Sequence, residues 1–185
     1  PETDTAFSQL GQTWSQPKVA YSKLNMATSG ETSVAKPVLI FGAGYDTLKD
    51  SSGPGADDSI GLGVYMVDAE TGTLKWSLAP SGDTTFAGKD SITSSIATLD
   101  SDGDGLVDRL YTGDTGGNVW RVDMPSNKHD DENNPWTVFK LASVGGVSNS
   151  TDRRFFNEAS IARTFITETF QTTIQDADGV ESVVF

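Results

Sequence analysis

One short alternating segment occurs twice in this chain, as Val64-Tyr-Met-Val-Asp68 and as Val119-Trp-Arg-Val-Asp123, and each copy has similar company. Phe41-Gly-Ala-Gly-Tyr-Asp46 precedes the first as Tyr111-Thr-Gly-Asp-Thr115 precedes the second. A third set, Trp14-Ser-Gln-Pro-Lys-Val-Ala20, Thr93-Ser-Ser-Ile-Ala-Thr-Leu99 and Phe156-Asn-Glu-Ala-Ser-Ile-Ala162, opens each round. The distances between counterparts vary because the connecting loops differ in length. A repeating four-strand unit with variable loops specifies a β-propeller, each unit being one blade.

The local patterns agree with an all-β fold, a modified β-propeller. Apolar and polar residues alternate, or run continuously between glycines, over 13–20, 37–45, 63–68, 73–78, 92–99, 107–113, 118–124 and 136–141. The pairs 63–68 with 73–78 and 107–113 with 118–124 read as hairpins, and a last one is expected around 176–179. No stretch has the 3.6-residue period of an amphipathic helix. The whole of 1–185 is expected to form part of one propeller, with blades at roughly 12–80 and 91–142 and the next beginning near 153. A propeller needs at least four blades, so this chain is expected to be a piece of a longer protein. Its start without Met and its end within an apparent strand point the same way.

Between two of these strands lies Asp100-Ser-Asp-Gly-Asp-Gly-Leu-Val-Asp108. Calcium takes six to eight hard oxygens, and a short segment supplies them when alternate side chains converge while the backbone turns sharply. In the helix-loop-helix calcium site the ligands come from the first, third, fifth, seventh and ninth places, the seventh by its carbonyl, with glycine at the sixth. Those places hold Asp100, Asp102, Asp104, Leu106 and Asp108, and the glycine is Gly105. The twelfth place, a bidentate glutamate in the helical version, holds Tyr111. The remaining ligands must then be waters or groups from elsewhere. Without a cation the carboxylates repel one another and the loop should loosen.

Composition narrows the function. Acidic residues outnumber basic ones 26 to 13, for a net charge of -13, which argues against nucleic acid as a partner. The absence of cysteine removes disulfides, thiolate chemistry and Cys-based zinc sites. No run reaches the roughly 18 apolar residues of a membrane span. His129, the lone histidine, lies in a polar loop with no nucleophile beside it and reads as part of a solvated face. Trp14, Trp76, Trp120 and Trp136 are expected to pack between blades. Asp46, Asp50, Asp57 and Asp58 are expected merely to solvate their loop, and Asp68 and Asp123 to cap turns. Asp176 and Asp178 read as a hairpin turn, with a weak second cation site as the lesser reading.

The run from Leu99 to Asp123, whose most specific part is the aspartate loop followed by Gly113-Asp-Thr-Gly-Gly-Asn-Val-Trp120, resembles the C-terminal domain of the PilY family. So do Gly11-Gln-Thr-Trp-Ser-Gln-Pro17 and Val38-Leu-Ile-Phe-Gly-Ala-Gly-Tyr45, and the likeness extends from about Gly11 to Ala162. These proteins are type IV pilus biogenesis factors and tip-associated adhesins of Gram-negative bacteria. The resemblance implies a noncatalytic module whose Asp100, Asp102, Asp104, Asp108 and Leu106 carbonyl bind one Ca2+. It implies that occupancy controls pilus extension and retraction, and with them twitching motility and surface attachment. It also implies a cell-surface location at the pilus tip, outer membrane-associated or secreted, and partners among minor pilins or a tip complex, with host or abiotic surfaces met through other regions. Ala69-Glu-Thr-Gly-Thr-Leu-Lys-Trp76 supports a rival, since it resembles the tryptophan repeat of quinone-dependent dehydrogenase propellers, in which calcium positions the cofactor. A third alternative, a calcium-stabilised adhesin propeller, would repeat the loop in several blades, and only one full copy is present.

Overall fold

In the computed structural model, which describes residues 5–162, 172–175 and 181–184, the chain folds into successive sheets that are antiparallel except where the two-residue β5 joins β4 in parallel. The first contains β1 (Lys18–Ser29), β2 (Thr32–Gly42), β3 (Val64–Asp68), β4 (Leu74–Ala79) and the short β5 (Thr84–Thr85), side by side in chain order. The second contains β6 (Ala97–Leu99), β7 (Arg109–Gly113), β8 (Asn118–Asp123) and β9 (Thr137–Ser143), again in chain order. Each strand pairs with its neighbour in sequence, mostly through short connections, the exceptions being residues 43–63 between β2 and β3 and 124–136 between β8 and β9. A further hairpin pairs β10 (Thr172–Gln175) with β11 (Glu181–Val184), in the register Gln175↔Glu181. Asp176 and Asp178 lie outside the described residues. Helix among the described residues is limited to α1 (Lys49–Ser52) and one 3-10 turn at Thr5–Phe7.

The sequence repeats coincide with equivalent places in the two sheets. Val64–Asp68 is β3 and Val119 to Asp123 lies in β8, the third strand of each sheet. Segments 41–46 and 111–115 carry the ends of β2 and β7, the second strands. The next round of chain docks there each time: Gly44 donates its N–H to the Ile92 carbonyl, and Phe155 donates to the Asp114 carbonyl.

The core lies where the sheets face each other. Val38 and Ile40 of β2, Val64 and Met66 of β3, and Trp76 and Leu78 of β4 pack with Ile92, Ile96, Leu110, Trp120, Val122 and Trp136. Trp76 meets Trp136 at 5.1 Å between ring centroids, and Phe86 meets Trp120 edge-on at 4.9 Å. Trp76, Trp120 and Trp136 are therefore packing residues, as expected. Trp14 is not. It is 58% exposed and stacks on Tyr45, and Phe156 packs against both rings.

Two other expectations change. β1 begins later than the proposed 13–20 strand and runs on to Ser29, turning at Gly30 into the first half of β2. Its alternation is hidden in the sequence, because a bulge between Tyr21 and Met26 shifts the phase and places Ser22 and Asn25 inward. The acidic loop after β2 is tied down rather than solvated. Asp46 accepts hydrogen bonds from Leu48 N, Ser59 N, Ser59 Oγ and Ile60 N. Burial alone would raise its pKa, and these donors hold it below the ordinary value. Asp50 accepts from the Tyr45 hydroxyl at 2.6 Å. Asp58 is buried with Lys49, whose ammonium is 3.3 Å from Asp58 Oδ1 and 2.5 Å from Asp90 Oδ1. Asp57, like Asp50, stays on the surface, and it is paired with Lys89.

Candidate metal centre

The aspartate loop closes the hairpin between β6 and β7, whose nearest paired residues are Leu99 and Arg109. Gly103 and Gly105, at φ of 83° and 85°, provide backbone turns that a side chain would disfavour. These turns fold the loop around Asp100, which accepts from Gly103 N at 2.7 Å and from Gly105 N at 2.8 Å. The Gly105 hydrogen bond is the main reason the Asp100 carboxyl titrates below its ordinary value. Asp108 is fixed from the far end, taking Ser101 N at 3.1 Å and the Ser101 hydroxyl at 2.6 Å. Asp102 and Asp104 form tight local turns, accepting from Asp104 N and Leu106 N.

Three of the four aspartates converge. One carboxylate oxygen from each of Asp100, Asp102 and Asp108 lies within 4.8 Å of the others. Asp104 stands outside this trio and faces a lysine instead: Lys23 Nζ is 3.2 Å from Asp104 Oδ2 and 3.7 Å from Asp102 Oδ2. Slight burial would lower the Lys23 pKa, and Asp104, with smaller effects from Asp102 and Asp108, raises it overall. Lys23 comes from β1 in the other sheet, where Val107 N also donates to the Tyr21 carbonyl at 2.7 Å. Sequence reasoning missed Lys23, since no local spacing links it to residues far along the chain. Tyr111, at the place of the missing glutamate, is a β7 residue paired with Ala97 and Arg121.

The donor set is all oxygen, mostly anionic, at the surface, and shaped by backbone hydrogen bonds. Those properties fit a hard divalent cation such as calcium, and offer nothing to a metal that prefers nitrogen or sulfur. An open cleft of about 400 Å³ adjoins the loop, lined by Lys23, Ser101, Asp102, Asp108, Arg109 and Asp123 among others. Asp123 is not a turn cap here. It pairs with Arg121 Nε at 2.8 Å and lies 3.7 Å from Arg109. Asp68 does cap its turn, accepting from Glu70 N, Thr71 N and the Thr71 hydroxyl. His129 is half-buried, its Nε2 3.9 Å from Asp83.

Comparison with known proteins gives one consistent result. The family model for the PilY1 beta-propeller domain matches residues 7–171. Type IV pilus biogenesis factor PilY1 of Pseudomonas aeruginosa strain UCBPP-PA14 is 30% identical over 156 residues, 84% of this chain and 12% of the relative. The protein of the same name from strain PAK is 31% identical over 93 residues, half of this chain and 7% of the relative. The chain thus spans a small part of the length of these relatives. The crystal structure of the Pseudomonas aeruginosa PilY1 C-terminal domain superposes with a TM-score of 0.50 at 20% identity, covering 92% of this chain and 31% of that one. That likeness concerns the fold alone. With the family model matched over most of its length, the chain belongs to the PilY1 β-propeller domain family.

Proposed function

We propose that this chain is the calcium-responsive part of a propeller in a type IV pilus biogenesis factor, and that it is noncatalytic. The observation that carries the calcium reading is the convergence of Asp100, Asp102 and Asp108 on a loop already folded by its own backbone N–H groups. Asp100, Asp102 and Asp108 would hold the ion directly, with Asp104 and the Leu106 carbonyl completing the set. The ion supplies positive charge and coordination to oxygen. The chain's own residues do the rest: Ser101 orients Asp108, and the two glycines let the loop close on Asp100. Free ion at a hundred times the dissociation constant stabilises the bound conformation by about 2.7 kcal/mol, enough to order a loop and bias a neighbouring contact.

The pilus reading rests on family membership and on the names of the relatives. In this reading the two sheets are successive blades, and the protein acts at the cell surface with minor pilins or a tip complex. Loop occupancy sets the balance of pilus extension and retraction, and so twitching motility and attachment.

Titration calorimetry on the full-length protein tests the site. The wild type is expected to bind calcium and Asp102→Ala to lose tight binding, and equal affinity in the two would overturn the assignment. In bacteria carrying Asp102→Ala, surface pili and the twitching zone should change together.

A further inference from the structure

We propose that Lys23 is a resident cation of the aspartate loop, which a divalent ion must displace, so that Lys23 sets the affinity of the site and couples its occupancy to the β1–β2 hairpin. The inference rests on the reading of the loop as a calcium site. The Lys23 ammonium lies 3.2 Å from Asp104 Oδ2 and 3.7 Å from Asp102 Oδ2. It therefore engages one carboxylate of the converging trio together with Asp104, the sequence-expected ligand that stands outside the trio. A divalent ion and an ammonium cannot share these carboxylates without repelling each other across a few ångströms. For Asp104 to join the other three, it must let go of Lys23.

The position of Lys23 in β1 suits a part that moves. β1 and β2 are paired in register up to Tyr21↔Pro37 and again from Met26↔Ala35. Lys23 sits in the bulge between, where a shift breaks no regular ladder. On one side of it the Tyr21 carbonyl accepts from Val107 of the loop, and on the other Asn25 donates to Asp68 Oδ2 and to the Pro37 carbonyl. The bulge therefore touches both the aspartate loop and the β3 turn of the first sheet. Release of Lys23 changes the bulge while the backbone bond at Tyr21 keeps the sheets in contact. The β1–β2 hairpin beyond the bulge is the element that reports occupancy.

Calorimetry with calcium on the full-length protein separates this proposal from the reading beneath it. Lys23→Gln, which removes the charge and shortens the side chain by one atom while keeping it polar, is expected to bind calcium about two- to tenfold more tightly, the range set by losing two partly exposed ion pairs. Lys23→Arg should stay within about twofold of wild type, and high salt should narrow the gap between wild type and Lys23→Gln. A second readout is amide hydrogen exchange at residues 22–25, which should respond to calcium in wild type and much less in Lys23→Gln. Wild-type binding with equal or weaker affinity in Lys23→Gln would overturn the role of Lys23 while leaving the calcium site standing. Calcium binding by wild type with no change in exchange at 22–25 would overturn the coupling. Absence of binding in wild type would remove the calcium reading itself and this inference with it.

Discussion

Asp114 explains the most specific motif of the chain. Its carboxylate is wholly buried and receives Gly116 N, Asn118 N, Asn118 Nδ2 and Trp120 Nε1, the last at 2.7 Å. The pattern Gly113-Asp-Thr-Gly-Gly-Asn-Val-Trp120 is thus one acceptor followed by the donors that satisfy it. Gly116 is constrained too, since a Cβ there would lie 2.1 Å from Asp90 Oδ2. Burial nonetheless pushes the Asp114 carboxyl above its ordinary pKa, against the pull of Trp120 and Asn118. Asp114→Ala strands several buried donors and should cost about 2–4 kcal/mol in a urea titration, with Asp114→Asn, which keeps one acceptor, losing less. A loss below about 0.5 kcal/mol for the alanine variant would mean that water replaces the carboxylate. The motif was visible in the sequence and its purpose was not, because a hydrogen-bonded carboxylate and a surface one are spelled alike. The same ambiguity hid Asp46 and Asp58, which sit in a stretch whose glycine, serine and aspartate content reads as solvent-facing.

At the level of single elements, the hairpin strands β3, β4 and β8 were legible because one or both faces are buried, while β9, half-buried to exposed along its length, was legible from its sequence pattern alone. The turn after β3 shows how much such a hairpin owes to its cap. Asp68 is pulled down to about 2, first by the Asn25 amide and then by Thr71 N, the Thr71 hydroxyl and Glu70 N. An aspartate in the unfolded chain titrates near about 3.9. A depressed folded pKa gives stability that is fully present above the unfolded value and disappears as pH falls from about 4 towards 2. Asp68→Asn should therefore destabilise the protein at about pH 6 and much less at about pH 2, so the two melting temperatures converge on acidification. Parallel curves would mean that the ionised form of Asp68 is not what holds the turn. Asp100 and Asp46 titrate below their ordinary values as well, so the wild type itself should lose stability across this window. β1 is the counterexample for legibility. Its bulge breaks the period, and its inward Asn25 is polar because it serves Asp68 and Pro37 rather than the core.

Across the whole molecule, the sequence announced a repeat but not what joins one unit to the next. Two devices do so. Lys49, Asp58 and Asp90 form a buried ionic knot, extended by Asp58 Oδ2 accepting from Ser91 N and from Thr115 Oγ1 of the β7–β8 turn. The second device is aromatic: Trp76 and Phe86 of the first sheet's region against Trp136 and Trp120 of the second. Trp136 is 4% exposed, and its indole N–H donates to the Ser126 carbonyl, so the ring is held from the side as well as from above. Truncating a buried tryptophan to alanine costs about 3–5 kcal/mol, through lost transfer energy and the cavity left behind. If the two rings close the junction between sheets, Trp136→Ala should show that loss in denaturant and also quicken amide exchange in β4, which lies in the opposite sheet. A stability loss with exchange quickened only in β8 and β9 would place Trp136 inside its own sheet's core and leave the ionic knot as the main tie between the units.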